Sequence, residues 1–395
     1  MKSMKSRIKL IVFLILTALL IFIITGTVAF ADEGDELNGN ITSIIDGMDL
    51  SELEEYLQNN KDSYLFNFGD TAQEIITYLV RGNLNADYSG YLNEIFSVLF
   101  KNVISLIPAF AQIVAISLLS AIISNAEGGI MSRTTAKAVK LACFALIIII
   151  LGSMLAGIIS SAIECVKNVK AQVEIITPIL VTLTVLTGGN SSGAIYQPSA
   201  LFLSGGAIEI INGFIFPAAI AVIILNFLSK INPQISFTGV TKLLKSLLKW
   251  VIGITVTVFS LFLTIQSSAS SLFDGIFFKA TKYLVGNSVP IVGNFLSAGV
   301  DMIVAAGTLI RSSVGVVGIA LLLMEIIQPV ILLASFSLML KITGAIVQPL
   351  GENELFSLFS DLSVDLEYII AGLLTVAFMY ALIIMLIINS ATNFV

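Results

Sequence analysis

The chain has 395 residues, of which 57% are hydrophobic and 12% charged, with a net charge of −6 and no histidine. A soluble domain carries about a quarter of its residues as charges, so a chain of this length and polarity lacks the surface to face water. Without imidazole, His-based zinc sites, Ser-His hydrolases and Cys-His proteases are all excluded.

Hydrocarbon is the solvent that suits such a composition. Open sheets leave N–H and C=O groups unpaired in lipid at several kcal/mol each, and outer-membrane barrels alternate apolar and polar residues. The apolar runs here are long and unbroken, so the fold class is all-α: a polytopic transmembrane helical bundle of six to eight spans, with re-entrant segments admitted, and a small helical extracytoplasmic N-terminal region.

The amino terminus begins with Lys2, Lys5, Arg7 and Lys9, followed by an apolar core over 10–24 and then Ala29-Phe30-Ala31 before Asp32. That order predicts a signal peptide over 1–31, cleaved after Ala31. An uncleaved anchor is the alternative; both place the chain beyond residue 31 outside the cytoplasm. Residues 32–101 hold fourteen Asp and Glu against Lys61, Arg81 and Lys101. Ser51 with Glu54 has capping-box spacing, as does Asp70 with Gln73. Ile75, Ile76, Leu79 and Val80 form one apolar stripe, closed by Gly82. Tyr91, Leu92, Ile95, Phe96, Leu99 and Phe100 form another. Short amphipathic helices are expected, packed as a small domain or docked on a partner or the membrane surface.

The domain from 102 to 395 is read as the multi-span body. Candidate spans are 103–124, 141–163, 206–228, 247–266, 314–340 and 368–388, each about twenty apolar residues. The stretches 175–186 and 290–310 are ambiguous, read as re-entrant or interior segments with a full crossing nearly as well supported. The first runs into Gly188-Gly189-Asn190-Ser191-Ser192-Gly193, expected to be a flexible turn; the second carries Asp301. Arg133, Lys137 and Lys140, then Lys230, Lys242, Lys245 and Lys249, fall on the cytoplasmic side by the positive-inside rule. Lys279, Lys282 and Arg311 remain in the outside loop 267–313. Lys242, Lys245 and Lys249 share one helical face opposite Leu243, Leu244, Leu247 and Leu248. That pattern fits a helix lying on the membrane surface or the basic flank of the next span. Glu354, Asp361 and Asp365 line one face of a further helix, for which a protein neighbour is the expectation. Pro108-Ala109 and Pro217-Ala218 each open an apolar run of similar length, a faint internal repeat.

Cys143 and Cys165 fall on one predicted helical stretch, about 30 Å apart at 1.5 Å per residue, beyond disulfide reach. Glu209, Asp301 and Glu325 are the acidic residues deep within apolar stretches, and an intramembrane carboxylate is a functional candidate by default. Two roles stand: proton or ion coupling, and hydrogen-bonded glue between helices, with Gln112, Asn226 and Gln328 as further donors. The sequence shows no lysine, arginine or histidine deep within the spans to pair with them. No G-x-x-x-x-G-K-[ST] loop occurs, so enzyme is the weakest class and no catalytic, cofactor or metal residues are assigned.

Two stretches carry a resemblance. Lys282-Tyr283-Leu284-Val285-Gly286-Asn287-Ser288-Val289-Pro290-Ile291-Val292-Gly293 is followed by Asp301. Ser132-Arg133-Thr134 leads to Lys137-Ala138-Val139-Lys140-Leu141-Ala142-Cys143. With the signal, the acidic external segment and the multi-span body, the chain resembles the stage III sporulation protein AE family of endospore-forming bacteria. The resemblance implies a membrane component of a secretion-like channel complex between mother cell and forespore, needed for forespore development and placed in the mother-cell membrane around the forespore. The implied partners are the lipid bilayer and other stage III sporulation membrane proteins, with a small-molecule cargo admitted and no nucleic acid. The alternatives are a stand-alone secondary transporter using the three carboxylates, and an insertase-like scaffold.

Overall fold

A computed structural model describes residues 35–60, 71–80, 88–125, 132–187, 190–231, 237–288 and 292–389. Every regular element among them is helical.

Three short helices come first: α1 (Asp35–Asp46), α2 (Ser51–Asn60) and α3 (Ala72–Val80). The predicted stripe of Ile75, Ile76, Leu79 and Val80 is buried. The expected Ser51–Glu54 box does not form. Ser51 donates its backbone N–H and its hydroxyl to Asp49 Oδ1, at 3.1 and 2.5 Å. These two bonds hold the exposed Asp49 carboxyl below its ordinary range. Glu54 accepts instead from the Ala72 N–H at 2.9 Å, so it caps α3 and not its own helix. Thr71 Oγ1 accepts from the Glu74 N–H at 3.2 Å and completes that N-terminus. Asp70, Gly82 and the side chains of Tyr91, Leu92, Ile95 and Phe96 lie outside the described residues.

The body consists of long helices. Helix α4 spans Tyr88–Asn125 and α5 spans Arg133–Leu186. Helix α6 (Asn190–Phe202) continues through π-helical turns at Leu203–Ala207 and Ile211–Ile215 into α7 (Phe216–Ile231). Then come α8 (Thr238–Ser288), α9 (Val292–Val347) and α10 (Asn353–Asn389). Six of these stretches are long and apolar enough to cross a membrane: Ser97–Ile123, Thr134–Leu186, Tyr196–Ile231, Thr238–Gln266, Met302–Leu350 and Asn353–Asn389.

Several sequence boundaries dissolve. Residues 175–186 are neither a re-entrant loop nor a separate span; they continue α5, which has 54 residues. Most of 290–310 likewise belongs to α9, which has 56 residues. Each helix is about 80 Å long at 1.5 Å per residue, against roughly 30 Å of hydrocarbon. The polar break in α5 (Glu164, Lys167, Asn168, Lys170, Gln172 and Glu174) reads in sequence as the end of a span. It stays helical because partners on neighbouring helices receive several of these side chains, so no turn is needed to carry them to water. Asn190–Gly193, expected as a flexible turn, forms the start of α6. Lys245 and its neighbours start α8, a single 51-residue helix, so this is the flank of a span and not a helix lying on the surface.

Register follows from close approaches. Helices α5 and α9 run antiparallel, with Asn168 opposite Glu325 and Gln172 opposite Leu321. A Cβ built on Gly318 would meet Ile176 Cγ2 at 3.2 Å and Ile384 Cδ1 at 3.0 Å, so glycine lets α5, α9 and α10 meet at one point. Helix α10 returns antiparallel to α9, with Ser337 opposite Ser363. The turn between them ends on Gly351 at φ 85°, a left-handed conformation that glycine adopts without Cβ strain. Helix α10 is the most enclosed of the six apolar stretches and α8 the least.

Candidate functional site

Two polar layers interrupt the apolar body. The first surrounds the start of α10, where Glu354, Asp361 and Asp365 recur near helical spacing on one face. Lysines from three helices meet that region. Lys140 of α5 lies 3.3 Å from Glu352 and 3.9 Å from Glu354. Lys230 of α7 donates to Ser357 Oγ at 2.7 Å and lies 3.9 Å from Asp361. Lys245 of α8 lies 2.6 Å from Asp365 Oδ1. Asp365 has no exposed surface, and its second oxygen accepts from Asn226 Nδ2 of α7. Ser120 of α4 donates to Glu352 Oε1 at 3.0 Å, tying in a further helix. The acidic face expected to meet a protein neighbour is thus paired within its own chain.

The second layer lies farther along α5, about 45 Å from Lys140 at 1.5 Å per residue. Asn168 Nδ2 donates to Glu325 Oε1 at 2.8 Å. Cys165 Sγ lies 3.4 Å from the Glu325 carbonyl oxygen, to which it donates. Gln172 Nε2 donates to Tyr56 OH at 2.9 Å, and its backbone carbonyl accepts from Tyr380 OH at 3.3 Å. Tyr56 belongs to α2, so the short N-terminal helices dock here and not at the lysine-rich end. Lys170 reaches Glu209 Oε1 at 3.0 Å on the other side of the same helix.

The carboxylates singled out in the sequence lie apart. Glu325 is half-buried and bonded to Asn168. The Glu209 side chain is 59% exposed and paired with Lys170, between the two π-helical turns. Asp301 lies on α9, with its side chain outside the described residues. The three form no common pocket. Asn168 and Lys170, two residues apart on α5, point about 200° apart at 100° per residue, so α5 stands between Glu325 and Glu209. Asp301 and Glu325 are about 36 Å apart along α9. The expectation that no lysine or arginine is at hand fails for Glu209, which Lys170 reaches; Lys245 reaches Asp365 instead, and Arg311, placed by sequence in an outside loop, has no exposed surface. Of the further donors, Asn226 does join helices, on Asp365. Gln112 and Gln328 face outward.

Sequence reading overlooked Asp365, Glu352 and Arg311 as buried charges. The near-helical spacing of Glu354, Asp361 and Asp365 was the available signal for the first. Nothing in the sequence marks the others, because their surroundings come from distant segments. The run Gly189-Asn190-Ser191-Ser192-Gly193 also has the G-x-S-x-G spelling of a nucleophile elbow. It leads into a helix preceded by a helix and not by a strand, in a chain without histidine, so the context for that chemistry is missing. Cys143 and Cys165 are both buried free thiols.

Compared with known proteins, residues 71–391 match the family model described as stage III sporulation protein AE. A curated protein named stage III sporulation protein AE, from Bacillus subtilis (strain 168), is 25% identical over 312 residues, covering 79% of this chain and 78% of that one. No solved structure matches the chain.

Proposed function

Since this chain belongs to the stage III sporulation protein AE family, we propose that it is a non-enzymatic, multi-pass subunit of a channel-like or secretion-like assembly linking mother cell and forespore. In this reading residues 1–31 are removed as a signal, 32–101 lie outside the cytoplasm, and 102–395 form the membrane platform. The lysine-rich ends of α5, α7 and α8 face the cytoplasm. The position of Tyr56 supports that orientation: it meets α5 at Gln172, about 48 Å from Lys140 at 1.5 Å per residue. The external helices therefore meet the body well away from the lysine-rich end.

The observation that carries the subunit reading is how the acidic side chains are used. Asp365 is clamped by Lys245 and Asn226, Glu325 by Asn168, and Glu209 by Lys170. A carboxylate that couples ion movement must exchange its partner during the cycle. Asp365 and Glu325 here tie helices together, which suits a rigid platform, while Glu209 makes an exposed pair. The outward faces of α4, α5 and α8 present Ile104, Ile149 and Ile265, suited to lipid or to neighbouring membrane helices.

Reconstitution separates this reading from a stand-alone transporter. The full chain, purified alone into liposomes, should pass neither protons nor small solutes, and the wild type and the Glu209→Gln and Glu325→Gln variants should behave alike. In sporulating cells it should co-purify with a fixed set of other stage III membrane proteins. Flux from the isolated protein that is abolished by either glutamine would overturn the subunit reading.

A further inference from the structure

We propose that Arg311 forms a carboxylate-binding site at the far end of α5, using the Nε and Nη2 edge of its guanidinium. This goes beyond the platform role and rests on it only where the carboxylate comes from an adjoining polypeptide.

Arg311 has no exposed surface. Its Nη1 donates to Thr187 Oγ1 at 3.3 Å, while Nε and Nη2 meet no acceptor among the described residues. The neighbouring hydroxyls are committed. Thr187 donates to the Thr184 carbonyl at 2.9 Å, and Ser313 to the Leu309 carbonyl at 3.0 Å. Thr187 closes α5, whose last carbonyls carry roughly half a negative charge. That offsets only part of a cation that stays protonated in proteins, and a buried charge left unpaired is strongly unfavourable.

The shape of the unpaired edge sets the chemistry of what completes it. Nε–H and Nη2–H project side by side from one edge of the guanidinium, spaced for the two oxygens of a carboxylate. One negative charge matches the one positive charge. A phosphate dianion would leave a charge uncompensated and would need more donors than this edge offers, since Thr187 and Ser313 are already in use. Because Arg311 is enclosed, a carboxylate reaches it only when the surrounding packing loosens, so binding is slow. Two sources carry this chemistry: a small free carboxylate, or an Asp or Glu side chain of an adjoining polypeptide. Only the second leans on the assembly reading.

The test uses the full chain in nanodiscs of zwitterionic lipid, with hydrogen exchange read in sodium propionate against sodium chloride at equal ionic strength. Saturable protection of 183–187 and 307–315 is expected, lost in Arg311→Met and in Arg311→Lys, which keeps the charge but not the fork. If propionate does nothing, a photo-crosslinker at Thr308 in sporulating cells should reach an Asp or Glu of a neighbouring chain, and exchanging that residue for Lys should be rescued by Arg311→Glu. Should Arg311→Met fail to accumulate, Arg311→Lys and the wild-type titration decide the outcome. The site is refuted by protection that survives in Arg311→Lys, or by a silent propionate titration together with a crosslink to no acidic residue.

Discussion

Lys245 Nζ stands 2.6 Å from Asp365 Oδ1, and Asp365 is fully enclosed while Lys245 keeps a fifth of its side chain exposed. With Asn226 on the second oxygen, the carboxylate joins α7, α8 and α10. Removing one partner of a buried pair strands the other. Lys245→Met should therefore destabilise the protein by about 3–5 kcal/mol, read as a lowered midpoint of denaturant unfolding in detergent micelles. Lys245→Met combined with Asp365→Asn, which keeps an acceptor for Asn226, should recover most of that loss, because no buried charge then remains. A double variant no more stable than Lys245→Met would show that the pair is not the coupled unit the geometry describes.

Glu209 and Glu325 should differ in their response to substitution. The Lys170–Glu209 pair is largely solvent-exposed, so Glu209→Gln should change stability by no more than about 1 kcal/mol. Glu325→Gln keeps an acceptor for Asn168 and should also be mild. Glu325→Leu leaves a half-buried amide without its acceptor and should cost about 1–3 kcal/mol. Thermal unfolding of the three variants in one lipid environment checks this ordering.

Gly318 reports on the packing of three helices. Gly318→Ala places a methyl against Ile176 and Ile384 and should cost about 1–3 kcal/mol. Ile384→Val deletes the Cδ1 methyl nearest that position, so the double variant should be more stable than the sum of the single effects. Simple additivity would mean that α10 does not approach α9 there.

Tyr56→Phe removes the hydroxyl that accepts from Gln172. A loss of about 0.5–1.5 kcal/mol is expected, concentrated in the docking of α2. Limited proteolysis should cut the variant faster within 35–80 than the wild type, with the long helices unaffected.

Orientation can be read with thiols, because Cys143 and Cys165 are each only 3% exposed and should label slowly. A membrane-impermeant maleimide should reach Glu55→Cys on non-sporulating cells that express the chain and are stripped of wall, and Glu354→Cys only after permeabilisation. Labelling of both from one side would overturn the proposed topology.

The amino-acid sequence alone determined the solvent and the fold class. Runs of Leu, Ile, Val and Phe longer than about twenty residues need hydrocarbon around them, and hydrocarbon admits helices because each satisfies its own backbone. The stripe at Ile75, Ile76, Leu79 and Val80 was legible for the same kind of local reason: a helix fixes which neighbours share a face. The tertiary structure decided where polarity could be tolerated. Residues 164–174 look like the end of a span until Glu325, Tyr56 and Glu209 are seen to receive them. Arg311 looks like a loop residue until α9 is found to continue around it. Asn168 and Glu325 are 157 positions apart, and Asn226 and Asp365 are 139 apart. Local patterning fixes the conformation of each segment, whereas the partner of a buried charge is set by which helices pack together.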